Sequence, residues 1–325
     1  MSKELVIVWA IPRDGLFEQD WLGYLFDGLA KRHVDAYSSS RAGGRPAPAL
    51  EMGPGEFPVV VLNRSIDMSA ALARLCRDSC FGVVHLSDEF LRDDCVFYDW
   101  PTCAFVLRNY FDPRHAGKPH VLHFGVGCKR GFEAALTDID ASSDIDFKEY
   151  DWCFMGDLDK SGRGEVLREV RAAFPESSSR SYLHVSHGFN GSDCLATDAY
   201  ASRMARSVFC LCPTGNYNLD TFRLYEALEA GSIPVTLART EAQPFRPSYW
   251  HMLFDLPDGA RLPFVANEDW VDNVREMKRL LEDAREAEAV RERCMVFWNT
   301  YKLNLQQEIA TFVEDRIRAM PDLCF

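Results

Sequence analysis

The chain has 325 residues, 47% of them apolar and 26% charged, with 36 Lys plus Arg against 49 Asp plus Glu and a net charge of −13. A chain of this length buries a large core and has room for about two domains. The composition excludes a disordered tail, a collagen-like chain and a small disulfide scaffold, and so acidic a surface disfavours sequence-independent nucleic-acid binding.

The elements alternate. Short β-rich apolar runs are predicted at Leu5–Ala10, Val34–Tyr37, Val59–Asn63, Gly82–Leu86, Cys103–Leu107 and Val121–Phe124. Helical stretches are predicted at Phe17–Arg32 and Ser69–Cys80. In the first of these, Trp21, Tyr24, Leu25, Gly28 and Leu29 recur at spacings of three and four, which marks one buried face. Arg41–Pro58 is rich in Gly and Pro and reads as a connection. The acidic, Ser-rich stretch Thr137–Tyr150 separates this series from a second one, and a domain boundary is expected there.

The second series runs strand Trp152–Met155, helix Arg163–Phe174, strand Ser181–Ser186, helix Thr197–Arg206, strand Val208–Cys212, helix Asp220–Ala230 and strand Ile233–Leu237. From Glu268 the chain reads as charged helices, the last from about Val290 to Met320. The expected organisation is a first α/β domain over 1–145, a second over 146–290 and a C-terminal helix over 291–325 that returns toward the first. Two Rossmann-like halves facing a central cleft are the expected architecture, and such a cleft suits a nucleotide-linked substrate.

The apolar run Leu5–Ile11 is too short for a signal sequence and ends in Pro12-Arg13-Asp14. No segment approaches the roughly 18 apolar residues of a membrane helix. The eleven cysteines include no Cys-x-x-Cys pair and sit mostly in apolar runs, which reads as buried, reduced thiols rather than a disulfide framework. Cys76 and Cys80 stand at helical spacing, but no second ligand pair follows, so no zinc site is expected.

Ser207–Val235 carries the chemistry. A buried strand ends in Pro213-Thr214-Gly215, and Asp220 or Thr221 caps a helix whose free amides suit an anionic group such as a diphosphate. Arg223, in its first turn, can donate two parallel hydrogen bonds to phosphate oxygens. Glu226, three residues on, shares its face and can hold ribose hydroxyls. A plainer possibility is that Arg223 and Glu226 pair with each other.

This segment resembles the exostosin family of glycosyltransferases, matching its pattern at Ser207, Phe209, Leu211, Pro213, Gly215, Asp220, Phe222, Arg223, Glu226, Ala227, Leu228, Gly231, Ile233, Pro234 and Val235. Val106–Phe111, Leu122–Phe132, Asp151–Leu167 and His187–Tyr200 resemble further family segments in order, so the likeness spans roughly residues 80–240. The resemblance implies a GT-B arrangement and inverting transfer from a UDP-sugar donor to a glycan or glycoconjugate hydroxyl. No cofactor and no metal are expected. Arg223 would bind the diphosphate and Glu226 the ribose or sugar. Arg163 would support the phosphates, and Pro213–Gly215 would let the backbone approach the donor. Asp220 and Thr214 complete this donor-side set, with His187 near the base or sugar. Arg130 is a further source of positive charge.

An inverting transfer needs a general base, expected at the carboxyl end of a first-domain strand. Ser87-Asp88-Glu89 follows Gly82–Leu86, so Glu89 or Asp88 is the expected base, although one of them could instead cap a helix. Asp14 is the second candidate. Arg108 and Asn109 are expected to line the same cleft, unless Arg108 only balances the carboxylates. The Asp-x-Asp triplets at 138, 144 and 157 raise a metal-dependent transferase as a second reading, and His115, His120 and His123 raise a weaker metal reading, since 120 and 123 point to opposite faces of a strand. A catalytically silent donor-binding subunit of a glycan polymerase and a sugar-nucleotide epimerase or hydrolase are also compatible with these residues. No dinucleotide, P-loop or nucleophile-elbow motif occurs. The thiols point to the cytoplasm for the chain as it stands; the Golgi lumen is the expected compartment if an anchor has been trimmed from it.

Overall fold

The structure is a computed structural model. It describes residues 3–14, 16–37, 51–64, 67, 69–137, 139, 144–160, 162–175, 179–188 and 191–320. Much of the Gly/Pro-rich connection, and Asp138 and residues 140–143 of the acidic boundary stretch, which include both carboxylates of the triplet Asp138-Ile-Asp140, therefore lie outside the described residues.

The chain forms two compact units, Met1–Gly125 with Leu303–Phe325, and Val126–Lys302. The division comes well before the acidic stretch read as a boundary, immediately after the strand Val121–Phe124.

The first unit holds a six-stranded parallel sheet in the order β2-β1-β3-β4-β5-β6. Its strands are β1 (Glu4–Trp9), β2 (Ala30–Asp35), β3 (Glu56–Leu62), β4 (Phe81–His85), β5 (Cys103–Asn109) and β6 (Val121–Phe124). Strands β4 and β5 are buried along their whole length, as expected of central parallel strands covered on both faces. Helix α1 (Gln19–Leu25) is much shorter than the predicted Phe17–Arg32. Gly28 takes a φ of 73°, the chain turns, and β2 starts at Ala30 rather than Val34. Helix α2 (Ala70–Asp78) is capped by Ser69, whose hydroxyl accepts from the Leu72 amide.

The second unit holds a five-stranded parallel sheet in the order β11-β10-β9-β7-β8. Its strands are β7 (Tyr150–Gly156), β8 (Ser181–Val185), β9 (Ser207–Leu211), β10 (Ile233–Leu237) and β11 (Val265–Asn267). The helices are α3 (Phe132–Leu136), α4 (Arg163–Ala173), α5 (Thr197–Ala205), α6 (Phe222–Glu229), α7 (Tyr249–Leu253) and α8 (Trp270–Glu282). Strand β11 is not among the predicted strands; three residues at a sheet edge are too few to show a period. Helix α9 (Ala284–Arg318) is anchored in the second unit by Trp298, which is buried and donates to Glu229. From Leu303 on it belongs to the first unit, where Gln306 donates to the Tyr24 carbonyl and Phe312 meets Phe105 edge to face. None of the described helices is long and apolar enough to cross a membrane.

Cysteine usage departs from the expectation at one position. Cys80 is disulfide-bonded, while the other nine described cysteines are free thiols.

Candidate donor site and the first unit's polar edge

In the second unit the chain leaves β7 for β8 on one side, then returns to β9 on the other. The carboxyl ends of β7 and β9 therefore flank a topological switch point, where open α/β sheets bind ligands. The two loops there are Gly156-Asp157 and Pro213–Gly215. Arg163, the first residue of α4, ties them together: Nε donates to the Thr214 carbonyl at 2.9 Å and Nη1 to the Asp157 carbonyl at 3.0 Å. Its guanidinium thus ties the two loops to the start of α4. The amide of Gly215 donates to the Asn218 carbonyl at 2.8 Å and closes the second loop.

Arg223 stands at the start of α6. Its Nη2 donates to the Met155 carbonyl at 2.8 Å, and its guanidinium lies over the Phe154 ring at 4.8 Å. Its Nε is buried without a hydrogen-bond partner. Gly156 has a φ of 148°, and a Cβ there would come within 2.5 Å of Arg223 Nη2. The glycine is thus required by both its backbone and the arginine beside it.

Glu226 is buried on the next turn. Tyr200 Oη donates to its Oε2 at 2.8 Å, and the Lys129 amide donates to Oε1 at 3.3 Å. Burial pushes its pKa up, and the Tyr200 hydrogen bond and the Arg223 charge pull the other way. Glu226 is thus held by Tyr200 and Lys129 rather than by a direct ion pair with Arg223, so the plainer pairing does not hold. Sequence reasoning passes over both Tyr200 and Lys129. Tyr200 ends a segment that resembles the family, but nothing local says that its hydroxyl meets a carboxylate 26 residues on.

The cap of α6 is Thr221, whose hydroxyl is buried without a hydrogen-bond partner. Asp220 does not cap; it is buried and accepts from Tyr225 Oη at 2.6 Å. His187 is exposed and pairs with Asp193 at 2.8 Å, which raises its pKa. Arg130 is exposed. Both oxygens of Asp157 accept backbone amides, Oδ1 from Asp159 in its own turn and Oδ2 from Gly188 beyond β8, so this Asp-x-Asp residue is committed to holding two loops.

In the first unit, Asp88 is buried and ion-paired with Arg108 at 2.8 Å. It also accepts the Arg92 and Asp93 amides. That commitment leaves it poorly placed as a base, and it assigns Arg108 the charge-balancing task. Arg108 is fully buried and reaches Tyr98 Oη at 3.1 Å, His85 Nδ1 at 3.2 Å and Asp112 at 3.5 Å. Glu89 is half-buried and Asp14 is exposed. Asn109 is buried, and its Oδ1 accepts from the Ser87 amide at 3.0 Å.

Glu18 is absent from the residues that the sequence singles out, yet it is only 2% exposed. Ser87 Oγ donates to its Oε1 at 3.3 Å, and its Oε2 is buried without a hydrogen-bond partner. Burial raises its pKa, against the pull of its own amide, Ser87 and Asn109. In sequence it lies inside a stretch read as an amphipathic helix, where a lone Glu reads as solvent-facing.

Two described side-chain clusters bring three metal-ligand atoms together, His85-Asp93-Cys95 and Cys128-Glu133-Glu229. Each already has a protein cation against it: Arg108 at His85, and Lys302 at Glu229 at 2.7 Å.

Comparisons with known proteins bear on the family and the fold. A family profile described as the RXYLT1 C-terminal domain matches residues 138–317, more than half of the chain. Exostosin-1 of Drosophila melanogaster is 29% identical over 123 residues, covering 38% of this chain and 15% of that protein. This chain thus matches only a small part of that curated relative. An α1,3-fucosyltransferase structure has a TM-score of 0.52 at 11% identity, covering 99% of this chain and 92% of that one. A DNA-modifying β-glucosyltransferase, studied with and without uridine diphosphoglucose, has a TM-score of 0.50 at 12% identity, covering 97% and 99%. At such identities the likeness shows the fold, a GT-B arrangement of two Rossmann-like α/β units.

Proposed function

This chain belongs to the RXYLT1 C-terminal domain family, and from that premise we propose that it is an exostosin-like glycosyltransferase moving a sugar from a UDP-sugar donor to a glycan hydroxyl. The transfer proceeds with inversion and without a protein-bound metal. One observation carries the reading: Arg223 and Glu226 stand together at the switch point between β7 and β9, beside two loops pinned by Arg163.

The chemistry follows from the side chains. The acceptor oxygen attacks the anomeric carbon, the bond from that carbon to the diphosphate breaks, and the acceptor proton passes to a base. Arg223 and the positive end of the α6 dipole receive the charge that grows on the leaving diphosphate. The Glu226 carboxylate, held by Tyr200 and the Lys129 amide, accepts hydrogen bonds from donor hydroxyls. Pro213, Thr214 and Gly215 form the backbone wall of the donor site. His187, beyond β8, belongs to its rim. The commitment of Asp157 to backbone amides favours the metal-free reading over an Asp-x-Asp cation site.

The test is release of UDP from a panel of UDP-sugars, with glycan acceptors, in excess EDTA. The reading expects at least one donor to turn over at the same rate with and without chelator. No turnover of any donor contradicts transfer, and loss of turnover in EDTA contradicts the metal-free part. A second reading, a donor-binding subunit without turnover, gains from the locking of Asp88 by Arg108. UDP binding without turnover would favour it.

A further inference from the structure

Glu226 is 3% exposed, and a carboxylate so buried needs hydrogen bonds to stay ionised. It receives them from two places. Tyr200 of α5 donates from Oη to Oε2 at 2.8 Å, and the Lys129 amide, three residues before α3, donates to Oε1 at 3.3 Å. Tyr200 is itself fixed. Its ring meets that of Phe132, the first residue of α3, edge to face at 5.9 Å, and Phe132 is 1% exposed. The segment 129–132 therefore holds one oxygen through its backbone and the other through the tyrosine. A carboxylate oxygen has two lone pairs. With one hydrogen bond on each oxygen, each keeps one lone pair for a ligand. Two neighbouring acceptors of this kind match two hydroxyls on adjacent carbons, which a ribose offers and a 2′-deoxyribose does not.

We infer that Tyr200 is a specificity-determining residue of the donor site: with the Lys129 amide it sets Glu226 to accept both hydroxyls of a vicinal diol, and so selects a ribonucleotide over its 2′-deoxy counterpart. The inference rests on the nucleotide-sugar reading above. All of its groups belong to the second unit. The tyrosine acts through the carboxylate. Burial is the largest influence on Glu226 and pushes its pKa up, while the Tyr200 hydrogen bond, the Arg223 charge and Lys129 pull it down. The other titratable groups beside it, the Tyr200 hydroxyl and the Cys128 thiol, are pushed well up by burial and stay neutral. Without the Tyr200 hydroxyl the balance moves toward the protonated acid, which presents a donor where a diol needs an acceptor.

The experiment titrates UDP, 2′-deoxy-UDP and inorganic pyrophosphate into the full chain, and into Tyr200→Phe, Glu226→Gln and the double variant, by calorimetry at pH 6 and pH 8. The wild type should favour UDP over 2′-deoxy-UDP by about tenfold or more, the scale of a hydrogen bond to a charged group. Tyr200→Phe should narrow that ratio to within about threefold at pH 6. It should regain part of the ratio at pH 8, where Glu226 recovers its charge. Pyrophosphate, which reports Arg223 alone, should bind within about threefold of wild type at each pH. Adding Tyr200→Phe to Glu226→Gln should change the ratio by less than about twofold, because the tyrosine has no other route to the ligand. A Tyr200→Phe chain that separates the two nucleotides as the wild type does overturns the inference. So does a wild type that binds UDP and 2′-deoxy-UDP equally; in both cases the donor reading stands. Weakening of pyrophosphate along with both nucleotides in Tyr200→Phe would make the tyrosine a general structural support, which also overturns the inference. A wild type that binds no UDP overturns the donor reading itself, and this inference with it.

Discussion

Gly156 sets the tolerance around Arg223. A Cβ there meets Nη2 at 2.5 Å, and the φ of 148° is strained for any L side chain. Gly156→Ala should therefore displace the guanidinium from the Met155 carbonyl and weaken UDP binding at least about tenfold, a loss of ~1.4 kcal/mol. Calorimetry on the folded variant checks this, and unchanged affinity would uncouple Gly156 from the donor site. Glu18 makes a prediction of the opposite kind. Its folded pKa is raised, so the folded state holds the proton more tightly than the unfolded chain. Its contribution to stability is full below the unfolded carboxyl value and is lost as pH rises through the folded one. Glu18→Gln, neutral at every pH, should thus be more stable than the wild type at pH 7–8, by on the order of 1 kcal/mol. The gain should fade as pH falls through the raised folded value and be gone below the unfolded one, about 4.5. Denaturant melts at pH 4 and pH 8 measure it, and a destabilised variant at pH 8 would contradict it. Arg223 and Glu226 are legible in sequence because strand end, loop and helix start are contiguous around them. Glu18 is not, because its burial depends on Ser87, 69 residues away.

Elements are legible where periodicity and local stops agree. Strand β10 and the start of α4 match their predicted positions, while α1 and β2 do not, because one glycine turn overrides a continuing apolar period. The fit between elements is tighter than any pattern reveals. A Cβ on Gly82 in β4 would lie 2.2 Å from the Phe105 ring of β5. Gly82→Ala should cost about 1–3 kcal/mol by overpacking, read in denaturant melts; a change below about 0.5 kcal/mol would mean that the ring moves freely. Helix α9 is held to α6 through Glu229, which accepts from both Trp298 Nε1 and Lys302 Nζ. Glu229→Ala leaves a buried indole N–H and a largely buried ammonium without their acceptor. A loss of about 2–3 kcal/mol is expected from the same melts, and a neutral result would remove this anchor.

Across the whole molecule, charge and function pull apart. The chain carries a net charge of −13, yet the proposed ligand is a diphosphate. Local chemistry resolves this: Arg223, the start of α6 and loops pinned by Arg163 concentrate donors at one switch point. The two-sheet architecture could be read from the alternation of strands and helices, and the family profile, the Exostosin-1 match and the fold comparisons agree with it. The division of the chain is less visible, since it follows contacts within each unit rather than a shift in composition. The central claim is that Arg223 anchors a nucleoside diphosphate in the second unit. Its most direct test is a calorimetric titration of UDP, in EDTA, into the full chain and into Arg223→Ala. The expected result is one site in the wild type and affinity about thirtyfold or more weaker in the variant, a difference of ~2 kcal/mol. No UDP binding by the wild type, or equal affinity in both proteins, would contradict it.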